Sequence, residues 1–130
     1  MKFSPDHLQE YLTDNYGFTL LLKPSGRPQN KKVHRLTHAH LDPIIHIQVE
    51  DFTQANLALP YISEYVDKIT DCLKINGITD ARESNRSCFL GYPDKDLKHV
   101  TPQKQALCFT IENKDAVAPF IELMFGLKAI

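Results

Sequence analysis

Apolar residues recur at helical spacing near the start, in the middle and at the end of the chain. The first stretch predicts a helix over residues 5–16, where Ser4 can cap the N-terminus and Gly17 can close the C-terminus. The second stretch predicts the strongest helix, which ends before Gly77, and its stripe comprises Tyr61, Ile62, Tyr65, Val66, Ile69, Cys72 and Leu73. A C-terminal helix is predicted from the spacing of Val117, Phe120, Ile121, Met124 and Phe125.

Shorter apolar or alternating runs predict about five strands. Residues 18–23 and 31–41 form the first two, on either side of a turn-rich loop, and Asp42-Pro43 ends the second. Residues 44–52 form the third, with Ile45, Ile47 and Val49 on one face and His46, Gln48 and Glu50 on the other. The last two strands are Ser87–Tyr92 and Gln105–Glu112, joined by the charged connection Pro93–Lys104. Residues 79–86 are predicted to be a loop, and residues 53–59 remain unassigned.

These elements predict a single α+β domain over residues 1–130 in the order α-β-β-β-α-β-β-α. An antiparallel sheet of about five strands, with helices packed on one face, would bury the apolar stripes. A ferredoxin-like arrangement from Ile44 onward is the competing prediction. The hydrophobic share of 42% and the charged share of 24% are ordinary for a globular chain of 130 residues.

Charge is segregated along the sequence. The formal net charge is −1, yet residues 15–41 contain no Asp or Glu and carry +5, so the remainder carries −6. The five cations of this stretch are Lys23, Arg27, Lys31, Lys32 and Arg35. Such an asymmetry favours steered association with a charged partner.

Three cysteines, Cys72, Cys88 and Cys108, are an odd number without the close spacing of a zinc site. They predict buried free thiols in a reducing cytoplasm. No apolar run approaches the roughly 18 residues of a membrane span, and no apolar leader follows Met1. We therefore expect a cytoplasmic protein with no membrane partner.

Four of the six histidines fall within residues 34–46, and histidine is the commonest metal ligand. The segment containing His38, His40 and Asp42 resembles the HxHxD of metallo-β-lactamase-type hydrolases and the HxH that opens many amidohydrolases. That resemblance implies a metal-dependent hydrolase with these three residues as ligands or base. It covers seven residues, and Pro43 stands where the hydrolase pattern carries another histidine.

A second interpretation makes the same segment one polar face of a strand. If residues 31–41 are extended, alternate residues share a side, and the outward row is Lys32, His34, Leu36, His38 and His40. The predicted binding residues are the basic and histidine side chains of this row, of the preceding loop and of Arg35, namely Arg27, Lys31, Lys32, His34, Arg35, His38 and His40. A nucleic acid would be a second partner for the basic segment 23–40, although no Phe, Tyr or Trp lies between Phe18 and Phe52 to stack on bases.

The leading hypothesis is a non-enzymatic protein-binding module, such as an inhibitor, immunity or chaperone-like protein, acting by surface complementarity without a cofactor. The element order is similar to that of type III secretion effector chaperones, which implies a small dimer that holds a secreted protein. The alternatives are a nucleic-acid-associated protein and a small metal-dependent hydrolase. An exposed edge strand or the apolar C-terminal helix leaves a homodimer open.

Overall fold

The structure, a computed structural model, describes residues 2–96 and 103–130. Within these residues the helices are α1 (Pro5–Tyr16), α2 (Ser63–Val66), α3 (Ile69–Cys72) and α4 (Val117–Phe125), with a 3-10 turn at Lys114–Ala116. The strands are β1 (Thr19–Leu20), β2 (Val33–His38), β3 (Leu41–Gln48), β4 (Ala55–Pro60), β5 (Ile78–Arg86), β6 (Asp94–Asp96) and β7 (Gln103–Ile111). The α+β class is confirmed, although seven strands are found where about five were predicted. No helix in the described ranges has the length and apolar character to cross a membrane.

Helix α1 has the predicted bounds and the predicted caps. The Ser4 hydroxyl accepts the His7 backbone N–H at 3.2 Å, and the Ser4 N–H donates to His7 Nδ1 at 3.4 Å. These bonds satisfy backbone groups that the first helical turn leaves unpaired. Gly17 ends the helix in the left-handed conformation at φ +73°. The cap therefore fixes where the chain turns towards β1.

The strands form one antiparallel sheet in the order β1-β2-β3-β4-β7-β5, and β6 also pairs with β7. At Lys104, β7 pairs with Arg86 of β5 and with Asp94 of β6. Because a strand has two edges and β5 occupies one of them, β6 continues along the edge that β4 occupies farther on. From Ile44 onward the elements do not follow the β-α-β-β-α-β order of ferredoxin-like folds.

One face of the sheet carries the main core. Helices α1 and α4 cover it with side chains that are fully or almost fully buried, namely Leu8, Leu12, Tyr16, Val117, Phe120, Ile121 and Met124. Ile45 and Ile47 of β3 lie in this core, as their alternation predicted. Phe109 of β7 meets Phe120 edge-on, with ring centroids 5.1 Å apart. The helices thus cover one face, in agreement with the sequence.

The opposite face is covered by residues 87–93, which we call the strap. Cys88, Phe89 and Tyr92 of the strap are buried, and they form a second core with sheet residues Val33, Ala58, Ala106 and Cys108. The Tyr92 hydroxyl lies 2.7 Å from the carbonyl oxygens of both Ile44 and Ala58. Ser87–Tyr92 was predicted to be a strand, and that prediction was wrong because its apolar residues pack across the sheet.

The second predicted strand is wrong in its bounds. The chain reverses at Ala39 and His40, so residues 31–41 form the end of one strand, a tight turn and the start of another. Asp42 and Pro43, which were expected to break the strand, lie inside β3. The predicted outward row also fails, because Leu36 is fully buried under the helices and His34 and His38 are partly buried.

The middle of the chain departs furthest from prediction. The helix expected around residues 61–73 is two single turns, α2 and α3, although Tyr65 and Cys72 are buried as its stripe required. Residues 55–59 of the undecided segment 53–59 form the central strand β4 together with Pro60, and the predicted loop 79–86 belongs to edge strand β5. The connection Pro93–Lys104 contains β6, and residues 97–102 lie outside the described part of the chain.

Gly77, just before β5, packs closely against the 3-10 turn, and a substitution there tests how tight this contact is. An added Cβ would lie 2.6 Å from Asn113 Nδ2 and 3.0 Å from Ala116 Cβ, and the residue has φ +97°. Gly26 has φ +87° with no atom within 4 Å of its Cβ position, so it is a matched control for backbone strain alone. We expect Gly77→Ala to lower the free energy of unfolding by about 1–2 kcal/mol more than Gly26→Ala. Equal losses in denaturant titrations would contradict the close approach.

Candidate functional site

The histidine pair that suggested a metal site lies at the β2–β3 turn. The His40 backbone N–H donates to His38 Nδ1 at 3.0 Å, and His38 Nε2 lies 2.8 Å from the Tyr16 carbonyl oxygen. Because Nδ1 accepts a proton donor, Nε2 must carry the ring proton and donate to Tyr16. Both nitrogens of His38 are therefore used in closing the turn against the end of α1.

Asp42 does not join this pair. His38 is in register with Leu41, so these two residues share a face of the hairpin and Asp42 points to the other face. Asp42 instead lines a cavity of about 500 Å³ with Glu64, Pro43, Pro60 and strap residue Tyr92. Within residues 2–96 and 103–130, no three His, Cys, Asp or Glu side chains are close enough to hold a metal ion together.

Three of the predicted binding residues do come together, in a cavity of about 380 Å³ that we call the basic cavity. It is lined by Lys23, Arg27, Pro28, Asn30, Lys31 and His34. Arg27, Lys31 and His34 were predicted, whereas Lys23 was recognised for its charge but not as a site residue. None of the described residues that line this cavity carries a carboxylate.

A short hairpin holds the basic cavity in shape. The Lys23 N–H donates to the Arg27 carbonyl at 2.7 Å, the Gly26 N–H donates to the Lys23 carbonyl at 2.9 Å, and Leu22 pairs with Pro28. The Leu21 N–H then donates to the Arg35 carbonyl at 2.8 Å, which ties the hairpin to β2. Asn30 Oδ1 accepts the Lys32 N–H at 2.7 Å. These bonds fix the backbone from which the three cations project.

Lys32 and Arg35 point elsewhere. Lys32 lines a second cavity, also of about 380 Å³, with Glu50, Asp51 and Arg86. Arg35 is partly buried, and its Nη2 donates to the Cys88 carbonyl of the strap at 2.9 Å. Successive residues of a strand face opposite sides, so Arg35 and His34 are separated by the sheet although they are adjacent in sequence.

The face of the sheet opposite the helices carries a buried polar patch that the sequence did not reveal. His46, Gln48 and Asn56 are between 0% and 4% exposed. His46 Nε2 accepts the Leu90 N–H at 3.2 Å, and its ring meets Tyr92 edge-on at 4.8 Å. Burial, with a smaller effect of the Arg35 charge, lowers the pKa of His46 to about 3. His46 is therefore neutral at pH 7 and anchors the strap.

Asn56 completes this patch at the β5 side of the sheet. Its Oδ1 accepts from Arg82 Nη2 at 2.7 Å and from the Thr110 hydroxyl at 3.1 Å. Polar residues at alternate positions of β3 are visible in the sequence, but their alternation does not indicate whether that face is covered. The strap residues that cover His46 are distant from it in sequence, so no local pattern reveals its burial.

The three cysteines are buried, as predicted. Burial raises the pKa of the Cys72 and Cys108 thiols to about 11 and also raises that of Cys88. Thiols with raised pKa values are poor nucleophiles at neutral pH. Their contribution in the described structure is to packing, in the main core for Cys72 and in the strap core for Cys88 and Cys108.

The ion pairs found among the described residues do not involve the cations of residues 15–41. Lys74 pairs with Asp71, Arg82 with Asp80, Lys95 with Glu83 and Lys104 with Asp94.

Comparison with protein-family models, with curated proteins and with solved structures finds no significant match to this chain. The basic cavity is therefore the candidate functional site on geometric and electrostatic grounds.

Proposed function

We propose that this chain is a non-enzymatic protein-binding module that docks an acidic segment of a partner protein on its basic cavity. The observation that carries the proposal is the convergence of Lys23, Arg27 and Lys31 on one cavity that no described carboxylate lines. Inhibitors, immunity proteins and chaperone-like proteins are modules of this kind, which act by surface complementarity. The cytoplasm is the proposed compartment.

The position of the cavity supports this role. Lys23 and Arg27 are exposed at the tip of a hairpin next to β1, and Lys31 is exposed in the segment between that hairpin and β2. All three lie near one edge of the sheet, where a partner can reach them. Clustered charges of one sign raise the rate of encounter with an oppositely charged surface. The backbone bonds of the hairpin reduce the ordering that binding requires, which favours affinity.

A binding role is also supported by the histidine and cysteine side chains that could otherwise act in catalysis, because several of them are used in the fold. Both nitrogens of His38 are bonded within the turn, His46 is buried under the strap, and the pKa values of the thiols are raised. Each of these groups already serves the fold. Binding by surface contact requires neither a cofactor nor a bond-making step.

A nucleic acid is the second candidate partner, and the lining of the basic cavity favours it less. Single-stranded nucleic acids are bound by grooves in which aromatic rings stack on the bases. The described lining of the basic cavity consists of two lysines, an arginine, a proline, an asparagine and a histidine. It contains no Phe, Tyr or Trp. An oligonucleotide is therefore the appropriate competitor in a binding assay.

Charge reversal tests the proposal. A Glu- and Asp-rich peptide should bind the wild-type protein with an affinity that falls as salt rises, and Arg27→Glu with Lys31→Glu should weaken binding about tenfold or more. The matched control is Lys74→Glu with Lys128→Glu, which changes the net charge equally at exposed sites outside the cavity. Fluorescence anisotropy measures both. Equal losses in the two double variants, or tighter binding of a single-stranded oligonucleotide, would refute the proposal.

A further inference from the structure

The basic cavity and the cavity lined by Lys32, which we call the polar cavity, have the same volume, about 380 Å³, but differ in charge balance. In the polar cavity, Lys32 and Arg86 are accompanied by the carboxylates of Glu50 and Asp51. In the basic cavity, Lys23, Arg27 and Lys31 have no such counter-charge among the described lining residues. Lys31 lines the basic cavity and Lys32 lines the polar cavity, so these adjacent lysines lie in different electrostatic environments.

We propose that the basic cavity is a phosphate site that receives a phosphorylated serine or threonine of the partner protein. This inference rests on the proposed function, since it names the group that the acidic segment presents. Three cations lining one cavity exceed what a single carboxylate, with one charge and two oxygens, can neutralise. A phosphomonoester carries about −1.5 to −2 charges and three acceptor oxygens, which matches the cationic lining better.

The donors of the cavity suit the same group. The Arg27 guanidinium presents a planar fork that can bind two phosphate oxygens, while Lys23 and Lys31 supply point charges with rotatable donors. Asn30 also lines the cavity, but its Oδ1 is held by the Lys32 N–H, which leaves the side-chain NH₂ as its free hydrogen-bonding group. Because no Phe, Tyr or Trp is among the described lining residues, the cavity suits a phosphate on a short side chain better than a nucleotide, whose base stacks on aromatic rings.

Three probes separate this inference from the proposed function. They are an acidic peptide with phosphoserine at its centre, the same peptide with glutamate in that position, and a single-stranded oligonucleotide of equal charge. We expect the phosphopeptide to bind about tenfold tighter than the glutamate peptide, and inorganic phosphate to displace it at constant ionic strength.

The adjacent lysines give the matched variants. Lys31→Gln should abolish the preference for the phosphopeptide, whereas Lys32→Gln, which removes the same charge one residue away, should preserve it. Equal binding of the two peptides, or equal effects of the two variants, would overturn the phosphate site and leave the protein-binding proposal standing. Binding of neither peptide would refute the protein-binding proposal itself. Preference for the oligonucleotide would assign the cavity to nucleic acid and refute both.

Discussion

Phe89→Ala should lower the free energy of unfolding by about 3–5 kcal/mol, the range for removing a large aromatic from a packed core. Phe89 is fully buried, its ring stacks on Tyr92 with centroids 5.6 Å apart, and it meets His46 edge-on at 5.5 Å. Alanine would leave a cavity between the strap and the sheet. The loss should appear as a lower midpoint in denaturant unfolding followed by circular dichroism.

The adjacent residue supplies the control for Phe89. Leu90 is 48% exposed, so Leu90→Ala should cost about 1 kcal/mol or less although it also removes a large apolar side chain from the strap. A loss for Phe89→Ala as small as that for Leu90→Ala would show that the strap does not close a second core. Peptide binding by Phe89→Ala, measured where the variant is folded, should be unchanged because the basic cavity is elsewhere.

The second large effect is a loss of stability in mild acid that depends on His46. An unfolded histidine titrates near pH 6.5, whereas burial and the Arg35 charge lower the pKa of folded His46 to about 3. Between these values the unfolded chain binds a proton that the folded chain does not, so the free energy of unfolding falls as the pH falls. From this residue alone we expect a loss of about 2 kcal/mol at pH 5 relative to pH 8.

His46→Gln isolates that contribution. Glutamine cannot titrate, and its amide oxygen can still accept the Leu90 N–H that His46 Nε2 accepts. The variant should be less stable at pH 8 but should lose about 2 kcal/mol less than the wild type between pH 8 and pH 5. Burial also lowers the pKa of His34, but His34 is present in both proteins and its effect cancels in the difference. Parallel pH profiles for the two proteins would contradict the neutral, buried state of His46.

Local signals predicted those elements whose pattern is set by neighbouring residues. Helix α1 was predicted because Ser4 and Gly17 mark its ends chemically, and α4 because its stripe meets the core at helical spacing. Strand β7 was predicted from the alternation of Leu107, Phe109 and Ile111. The bounds of these elements depend little on the rest of the chain.

The strands that were missed depend on what covers them. Residues 55–60 of β4 are buried on both faces, and a short continuous apolar run does not distinguish a strand from a buried helix. Residues 78–86 of β5 are largely polar because this edge strand is partly exposed, so the run resembled a loop. The single predicted helix around residues 61–73 divides at Lys68, whose Nζ donates to the Met124 carbonyl of α4 at 3.1 Å.

The candidate site was predicted in part for a related reason. The absence of acidic residues from 15 to 41 indicated a basic surface, and Arg27, Lys31 and His34 do line one cavity. Strand alternation and the turn at Ala39 and His40 then separate Arg35, His38 and His40 from that cavity. Proximity in sequence indicated the charge of the surface correctly, but the backbone direction at each residue decides which side chains share it.

The pairing of β4 with β7 has a consequence for how the chain folds. Ala55 pairs with Ile111 and Pro60 with Ala106, so the two central strands join partners 46 to 56 positions apart. Such non-local contacts incur the entropy of closing a long loop before they yield stabilisation, and topologies rich in them fold in milliseconds to seconds rather than microseconds. The hairpin of β2 and β3 closes a far shorter loop. Rapid-mixing kinetics should accordingly show this hairpin acquiring protection from solvent exchange before the centre of the sheet.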